Sequence, residues 1–277
     1  MITLRNQGLG RIALAYLTAG LLGFVLTLPL VWIALTAFKP TALTFQMPPS
    51  LIFAPTLDHF RAILARPTFL PIVLNTVVVT LATTVTTLSL GTLAAYGMAR
   101  YRAGGPPLLY TTLAIRALPP IVLGLPMFIL FTRTGLIDTW AGLTMAYTAF
   151  MLPNTIWLML AFFEDIPREL EEAALVDGCS RFGAFWRIAL PVAKPGLLVT
   201  GFYNMMGAWN HFFYGLTLST SRSRTLPVHA AELIGEYTIR WGEVSAIGVV
   251  LILPPIILVI FMQRHLSSGL MLGGIKG

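Results

Sequence analysis

Apolar residues fill this chain in long, nearly uncharged blocks. Six such blocks run over about residues 12–37, 71–96, 107–131, 140–163, 196–218 and 244–262. Roughly 20 apolar residues, wound as a helix, cross the hydrocarbon core of a bilayer. The pattern therefore predicts an all-α, membrane-integral chain with six transmembrane helices, organised as one domain over residues 1–277. Arg5 and Arg11 precede the first block as they would in a signal peptide. That block is too long for a signal core and no small-residue cleavage site follows it, so it reads as a retained first span.

An even number of spans puts both termini on one side, and the polar gaps then alternate. Ten Lys and Arg residues fall on the side of the termini: Arg5, Arg11, Arg100, Arg102, Arg168, Arg181, Arg187, Lys194, Arg264 and Lys276. Seven fall on the other: Lys39, Arg61, Arg66, Arg133, Arg222, Arg224 and Arg240. The positive-inside bias favours cytoplasmic termini. The gaps at 39–70 and 219–243 are long and mixed in composition, as ordered external loops are.

The gap from Glu164 to Pro195 is different, being charged and helix-permissive. Asp165 can cap a helix entered at Pro167, Arg168–Val176 are good helix formers, and Gly178 supplies a turn. Arg181–Ala189 can form a second helix that Pro191 ends. The pattern predicts a helix–turn–helix at the membrane surface. Small residues (Ala173, Ala174) leave room for a partner, and Phe182, Phe185 and Trp186 offer aromatic anchors. From residue types alone, this loop is either a docking surface or a connector packed on its own bundle.

Composition supports the membrane reading. The 277 residues are 56% hydrophobic and only 10% charged, far from the roughly 25% charged of a soluble domain, with a mean hydropathy of +0.80. The net charge of +7 is not gathered on one face and argues against nucleic acid as a partner. A single cysteine, Cys179, excludes an intrachain disulfide and reads as structural. Four scattered histidines have no metal-ligand spacing.

Polar groups inside the spans are the candidate transport chemistry. Arg116 lies about ten residues into the third block, before Pro119-Pro120. It either lines a pathway or bonds to carbonyls freed by the prolines. Thr76, Thr80, Thr83, Thr84 and Thr87 share one face of the second helix, a pattern suited to close helix packing. Asn154 in the fourth block and Tyr203, Trp209 and Asn210 in the fifth combine amides with aromatic faces, which suits sugar rings with apolar faces and polar rims. An interfacial aromatic is also simply an anchor. His211 at the same end reads as structural.

The run Glu172-Ala173-Ala174, three residues, Gly178, nine residues, then Ile188-x-Leu190-Pro191 resembles the signature loop of binding-protein-dependent ABC importer permeases. Asn75-Thr76, Ala94–Arg100, Leu118-Pro119-Pro120, Gly135–Thr139, Trp209-Asn210 and the Gly269–Gly277 tail resemble the carbohydrate-uptake branch, whose acidic residue after Trp-Asn is His211 here. The resemblance implies the type I importer permease fold, with 164–195 as its cytoplasmic coupling loop. It implies ATPase contacts through Glu172, Ala173, Ala174, Asp177 and Gly178, in a loop whose aromatic anchors are Phe182 and Phe185. It also implies a second homologous permease subunit, two ATP-binding subunits, and an extracytoplasmic solute-binding protein delivering a sugar-like solute. This chain would bind no cofactor, since it has no phosphate-binding glycine loop; ATP and Mg²⁺ would sit on the partners. The implied location is the inner membrane.

Two rival readings lack the residues they need. A stand-alone secondary transporter needs an ion-coupling carboxylate in its spans, and the six blocks hold no Asp or Glu. An intramembrane enzyme needs a Ser/His, paired Asp or HExxH arrangement, and none lies there.

Overall fold

The structure is a computed structural model. It describes residues 9–235 and 239–272, except the side chains of residues 9, 11, 109, 113, 116 and 262–272. The described chain is almost entirely helical. The order is α1 (Leu9–Phe38), α2 (Thr41–Thr44), α3 (Asp58–Leu64), α4 (Phe69–Tyr101), α5 (Gly105–Ala117), α6 (Pro120–Arg133) and α7 (Trp140–Glu164). Then come α8 (Glu169–Val176), α9 (Arg181–Ala184), a π turn at Phe185–Ala189, α10 (Leu190–Val192), α11 (Lys194–Trp209), α12 (Phe213–Leu218), α13 (Leu226–Glu232) and α14 (Trp241–Leu272).

Among the described residues, four helices are long and apolar enough to cross a membrane: Ile12–Phe38, Phe69–Tyr101, Trp140–Glu164 and Trp241–Phe261. Two of the six expected spans are not continuous helices. The block at 107–131 divides into α5 and α6 because Leu118 and Pro119 are both extended. A residue before proline is pushed out of the α region, and here two such steps follow one another. The block at 196–218 divides at residues 210–212 into α11 and α12. At its other end, Arg181–Val192 and Lys194–Trp209 meet at 74° next to Pro195, which has no amide to continue the helix across the break.

The chain forms two compact units, residues 1–69 with 230–252, and residues 70–229 with 253–277. In the first, an ion pair joins Arg66 to Glu243, and the His59 ring hydrogen-bonds the Lys39 carbonyl at 2.9 Å. Phe38 packs on Phe60 with ring centroids 5.0 Å apart.

The second unit has two buried clusters. One gathers Tyr96, Ala99, Met159, Phe163, Ile166, Phe185 and Ala189. The other gathers Val79, Phe131, Leu143, Tyr147, Met151, Tyr214 and Leu218. Between them α4 and α7 approach closely: a Cβ on Gly91 would lie 2.5 Å from the Thr155 methyl. Thr76, Thr80, Thr83 and Thr87 of α4 are all buried as well. Small residues let helix backbones come near one another where water gives no driving force.

Candidate functional site

The loop from Glu164 to Pro195 does not begin as the residue pattern suggests. Asp165 closes α7 rather than capping the next helix, and Arg168 stands at the start of α8 with no side-chain cap. The end of α8 matches expectation. Gly178 has φ +85°, its amide reaches the Leu175 carbonyl, and the Cys179 amide reaches the Ala174 carbonyl at 2.9 Å. Those two bonds form a Schellman stop, which needs a left-handed residue at this position. Ser180 then caps α9 by accepting from the Gly183 amide at 3.1 Å. Pro191 does not end the second segment, which runs on to Val192. The π turn at Phe185–Ala189 ends two residues before this proline, and such a wide turn accommodates a residue with no amide to donate.

What holds α8 to the bundle is unusual for a helix. Its one buried side chain is Glu171, 7% exposed. Glu171 accepts a hydrogen bond from the Tyr96 hydroxyl at 2.5 Å and pairs with the Arg100 guanidinium at 2.6 Å. Arg100 also donates to the Ile166 carbonyl at 2.9 Å, and Arg168 donates to the Ala99 carbonyl at 2.8 Å. Residues from the foot of α4 therefore clasp both the approach to α8 and the helix itself. Helices of eight residues are not stable alone in water, so this latch carries much of the work of keeping α8 formed and placed.

With the glutamate inward, the apolar side chains of α8 face out. Val176 is 87% exposed, and Leu170 and Leu175 are also exposed. Phe182 is 69% exposed and stacks edge-on against exposed Trp186, with centroids 6.0 Å apart. Glu172, Ala173, Asp177 and Gly178 are exposed and Ala174 is half-buried, so all five are accessible, as Phe182 is. Phe185 does not join them. It is 4% exposed and packs on Tyr96 with centroids 4.7 Å apart. One turn of chain separates an aromatic offered outward from one that anchors the loop inward.

The polar residues of the spans fall into separate places. Asn154 on α7 and Tyr203 on α11 meet at 3.4 Å on an accessible face. Their neighbours Thr155 and Asn204 meet at 3.0 Å in the buried layer behind. Trp209 is buried and lines an apolar cavity of about 310 Å³ with Val77, Leu81, Met206 and Pro254. Asn210, next to it, turns back to the Met206 carbonyl at 3.0 Å. Trp209 and Asn210 are therefore not paired at one surface. The Arg116 side chain lies outside the described residues, although its backbone sits one residue before the end of α5. His211 packs among Tyr147, Phe150 and Tyr214.

A second clasp lies at the opposite end of α4 and α7, and sequence reasoning did not assign it. Asp138 has φ +57° and accepts from the backbone amides of Thr220, Arg222 and Ser223 at 2.9–3.1 Å. Burial alone would raise this carboxyl, but the amides and the Thr220 hydroxyl outweigh it and hold the pKa well below the usual carboxylate range. The Asn75 side chain donates to the Arg222 and Arg224 carbonyls and accepts from the Trp140 indole. The Leu226 amide donates to Thr76 Oγ1 at 2.8 Å. The segments Asn75-Thr76 and Gly135–Thr139 thus pin the turn at 220–226. The signal available in advance was the motif itself, with an acid after a glycine turn.

The comparisons agree with one another. Residues 87–271 match the family described as "Binding-protein-dependent transport system inner membrane component". A probable ABC transporter permease protein, y4oR of Sinorhizobium fredii, is 35% identical over 92% of both chains. The trehalose transport system permease protein SugB of Mycobacterium tuberculosis is 35% identical over 95% of this chain and 97% of its own. Among solved structures, a subunit of a bacterial ABC transporter importing the acidic polysaccharide alginate superposes with a TM-score of 0.76 at 23% identity, covering 93% of this chain and 98% of that one. The chain belongs to the inner membrane components of binding-protein-dependent transport systems, and is a non-catalytic, membrane-integral permease subunit of an ABC importer.

Proposed function

We propose that this chain is one of two membrane-spanning halves of an importer for a sugar or sugar-like solute, and that the 164–195 loop is where it receives an ATPase subunit. The observation that carries the docking proposal is the inverted burial of α8. A short helix that turns its glutamate inward and Leu170, Leu175 and Val176 outward is built to be completed by another protein. The contact surface comprises Glu172, Ala173, Ala174, Asp177, Gly178 and Phe182, with Phe185 as its internal support. ATP and Mg²⁺ belong to two ATPase subunits, and a solute-binding protein delivers the substrate at the opposite face. The ten-to-seven distribution of Lys and Arg supports cytoplasmic termini and an inner-membrane setting.

The sugar class is supported by the trehalose permease relative. Within the chain, the accessible Asn154–Tyr203 pair combines an amide with an aromatic ring, and it is the stronger pathway candidate. Trp209, Asn210 and Arg116 remain candidates on residue type. ATP binding would close the ATPase pair, and a latched α8 would carry that motion into α4 and α7 as a body. This is a two-state element biased by a ligand bound elsewhere. Proteoliposomes holding the complex co-purified with this chain provide the test. Uptake of labelled mono- and disaccharides should require both ATP and the binding protein. Uptake driven by an ion gradient without the ATPase would overturn the proposal.

A further inference from the structure

Within the first unit lies a buried cation that the transport reading does not use. Lys39 is 4% exposed and follows directly on the last residue of α1. Its ammonium lies 5.2 Å from the Trp32 ring centre and 5.3 Å from that of Phe53. No ion pair joins it to a carboxylate among the described residues; the nearby Glu243 pairs with Arg66 and Arg240. The backbone carbonyl of Lys39 is fixed by His59, which holds the residue in place.

Lys39 lines a cavity of about 430 Å³ together with Trp32, Thr36, Phe45, Trp241 and Ser245. Among the described residues, no carboxylate lines it. Its lining residues carry the Lys39 ammonium, the Ser245, Thr36 and Thr44 hydroxyls and two indoles, and the two threonines already donate to the Trp32 and Pro40 carbonyls. Two π faces stabilise a lysine but accept none of its three N–H donors, so the ammonium on the cavity wall can take an acceptor from outside the chain. The position in the chain narrows the choice of acceptor. The cavity lies where the apolar span α1 ends and where α14 begins, at Trp241. That is the level of lipid headgroups, where tryptophans gather.

From this we infer that the cavity is a site for a phosphate monoanion, supplied by the headgroup of an anionic membrane phospholipid. The ammonium and the Ser245 hydroxyl bind the phosphate oxygens, and the tryptophan rings pack on the glycerol backbone. The chemistry is shared with soluble glycerol phosphate, so the test separates the two sources.

The assembled transporter is examined by native mass spectrometry after exchange into phosphatidylglycerol, phosphatidylcholine, or detergent with soluble glycerol phosphate. The wild type should retain phosphatidylglycerol over phosphatidylcholine. Lys39→Met should lower that retention about tenfold or more, and Lys39→Arg should keep most of it. Ser245→Ala, which leaves the aromatic cage intact, should weaken it less. Retention of glycerol phosphate without lipid preference would overturn the lipid source. Equal retention of both lipids by wild type, or of phosphatidylglycerol by Lys39→Met and wild type, would overturn the site.

Discussion

Replacing Glu171 with alanine removes the one buried side chain of α8 and leaves its partners behind. The Arg100 and Glu171 side chains are 7% and 9% exposed, so this is an ion pair largely removed from water. Removing one member of such a pair costs about 3–5 kcal/mol, because the other charge stays buried without compensation. The count of bonds agrees: two hydrogen bonds to a charged acceptor at about 1.5–3 kcal/mol each give a similar sum. The loss falls on a helix with no fully buried apolar side chain, so it appears as local opening rather than global unfolding. Hydrogen exchange on the assembled transporter should show amide protection over residues 169–176 falling on the order of a hundredfold or more. Glu171→Gln keeps an acceptor for Tyr96 but loses the charge, and should cost about 1.5–3 kcal/mol. The neighbouring Glu172→Ala should leave protection within about twofold in the chain alone, since an exposed carboxylate contributes little. ATPase activity that no longer responds to the binding protein should accompany Glu171→Ala. Unchanged protection of α8 in Glu171→Ala would refute the latch, whatever happened to transport.

Phe182→Ala should weaken association with the ATPase by more than about 1 kcal/mol while leaving the thermal midpoint of the permease unchanged; Phe185→Ala should destabilise the permease by about 3–5 kcal/mol, read in the same two assays. Gly178→Ala forces a side chain into a left-handed conformation and should cost about 1–2 kcal/mol at the end of α8, measured by exchange at Cys179 and Ser180. The Asp138 clasp has a defined pH dependence. Its folded pKa is depressed, so the stabilisation is fully present above the ordinary value of 3.8 and fades as pH falls toward the folded value. Exchange in the 220–226 turn, corrected for its intrinsic rate, should therefore rise below about pH 4 in the wild type. In Asp138→Asn it should be high already at pH 7.

Much of this arrangement could be read from the chain, and what could not has physical reasons. The long apolar blocks announced a helical membrane protein because lipid tolerates only backbones that satisfy themselves. The Gly178 turn was legible because a left-handed stop has few alternatives to glycine. Pro119-Pro120 is plain in the chain, but hydropathy predicts one span through it because hydropathy does not register a backbone break. The latch was hidden for another reason. Glu169, Glu171 and Glu172 are chemically alike, and only the rotation of α8 selects which one turns inward. The partners that receive it, Tyr96 and Arg100, lie more than seventy residues earlier in the chain. Phe182 and Phe185 pose the same problem, since residue type gives an anchor but not its direction. Asp138 was visible as part of a motif, but its backbone partners at 220–223 carry no side-chain signature.

The outward face of α8 is proposed as a socket for an ATPase subunit. A photo-crosslinking amino acid at position 176, where the native valine is the most exposed large apolar side chain of the loop, tests it directly in native membranes. A crosslink to an ATP-binding subunit is expected, lost when the same probe replaces buried Phe185 or stands at position 222 beside the Asp138 clasp. A functional transporter that gave no such crosslink at position 176, or gave it at position 222, would show that α8 is not the ATPase socket.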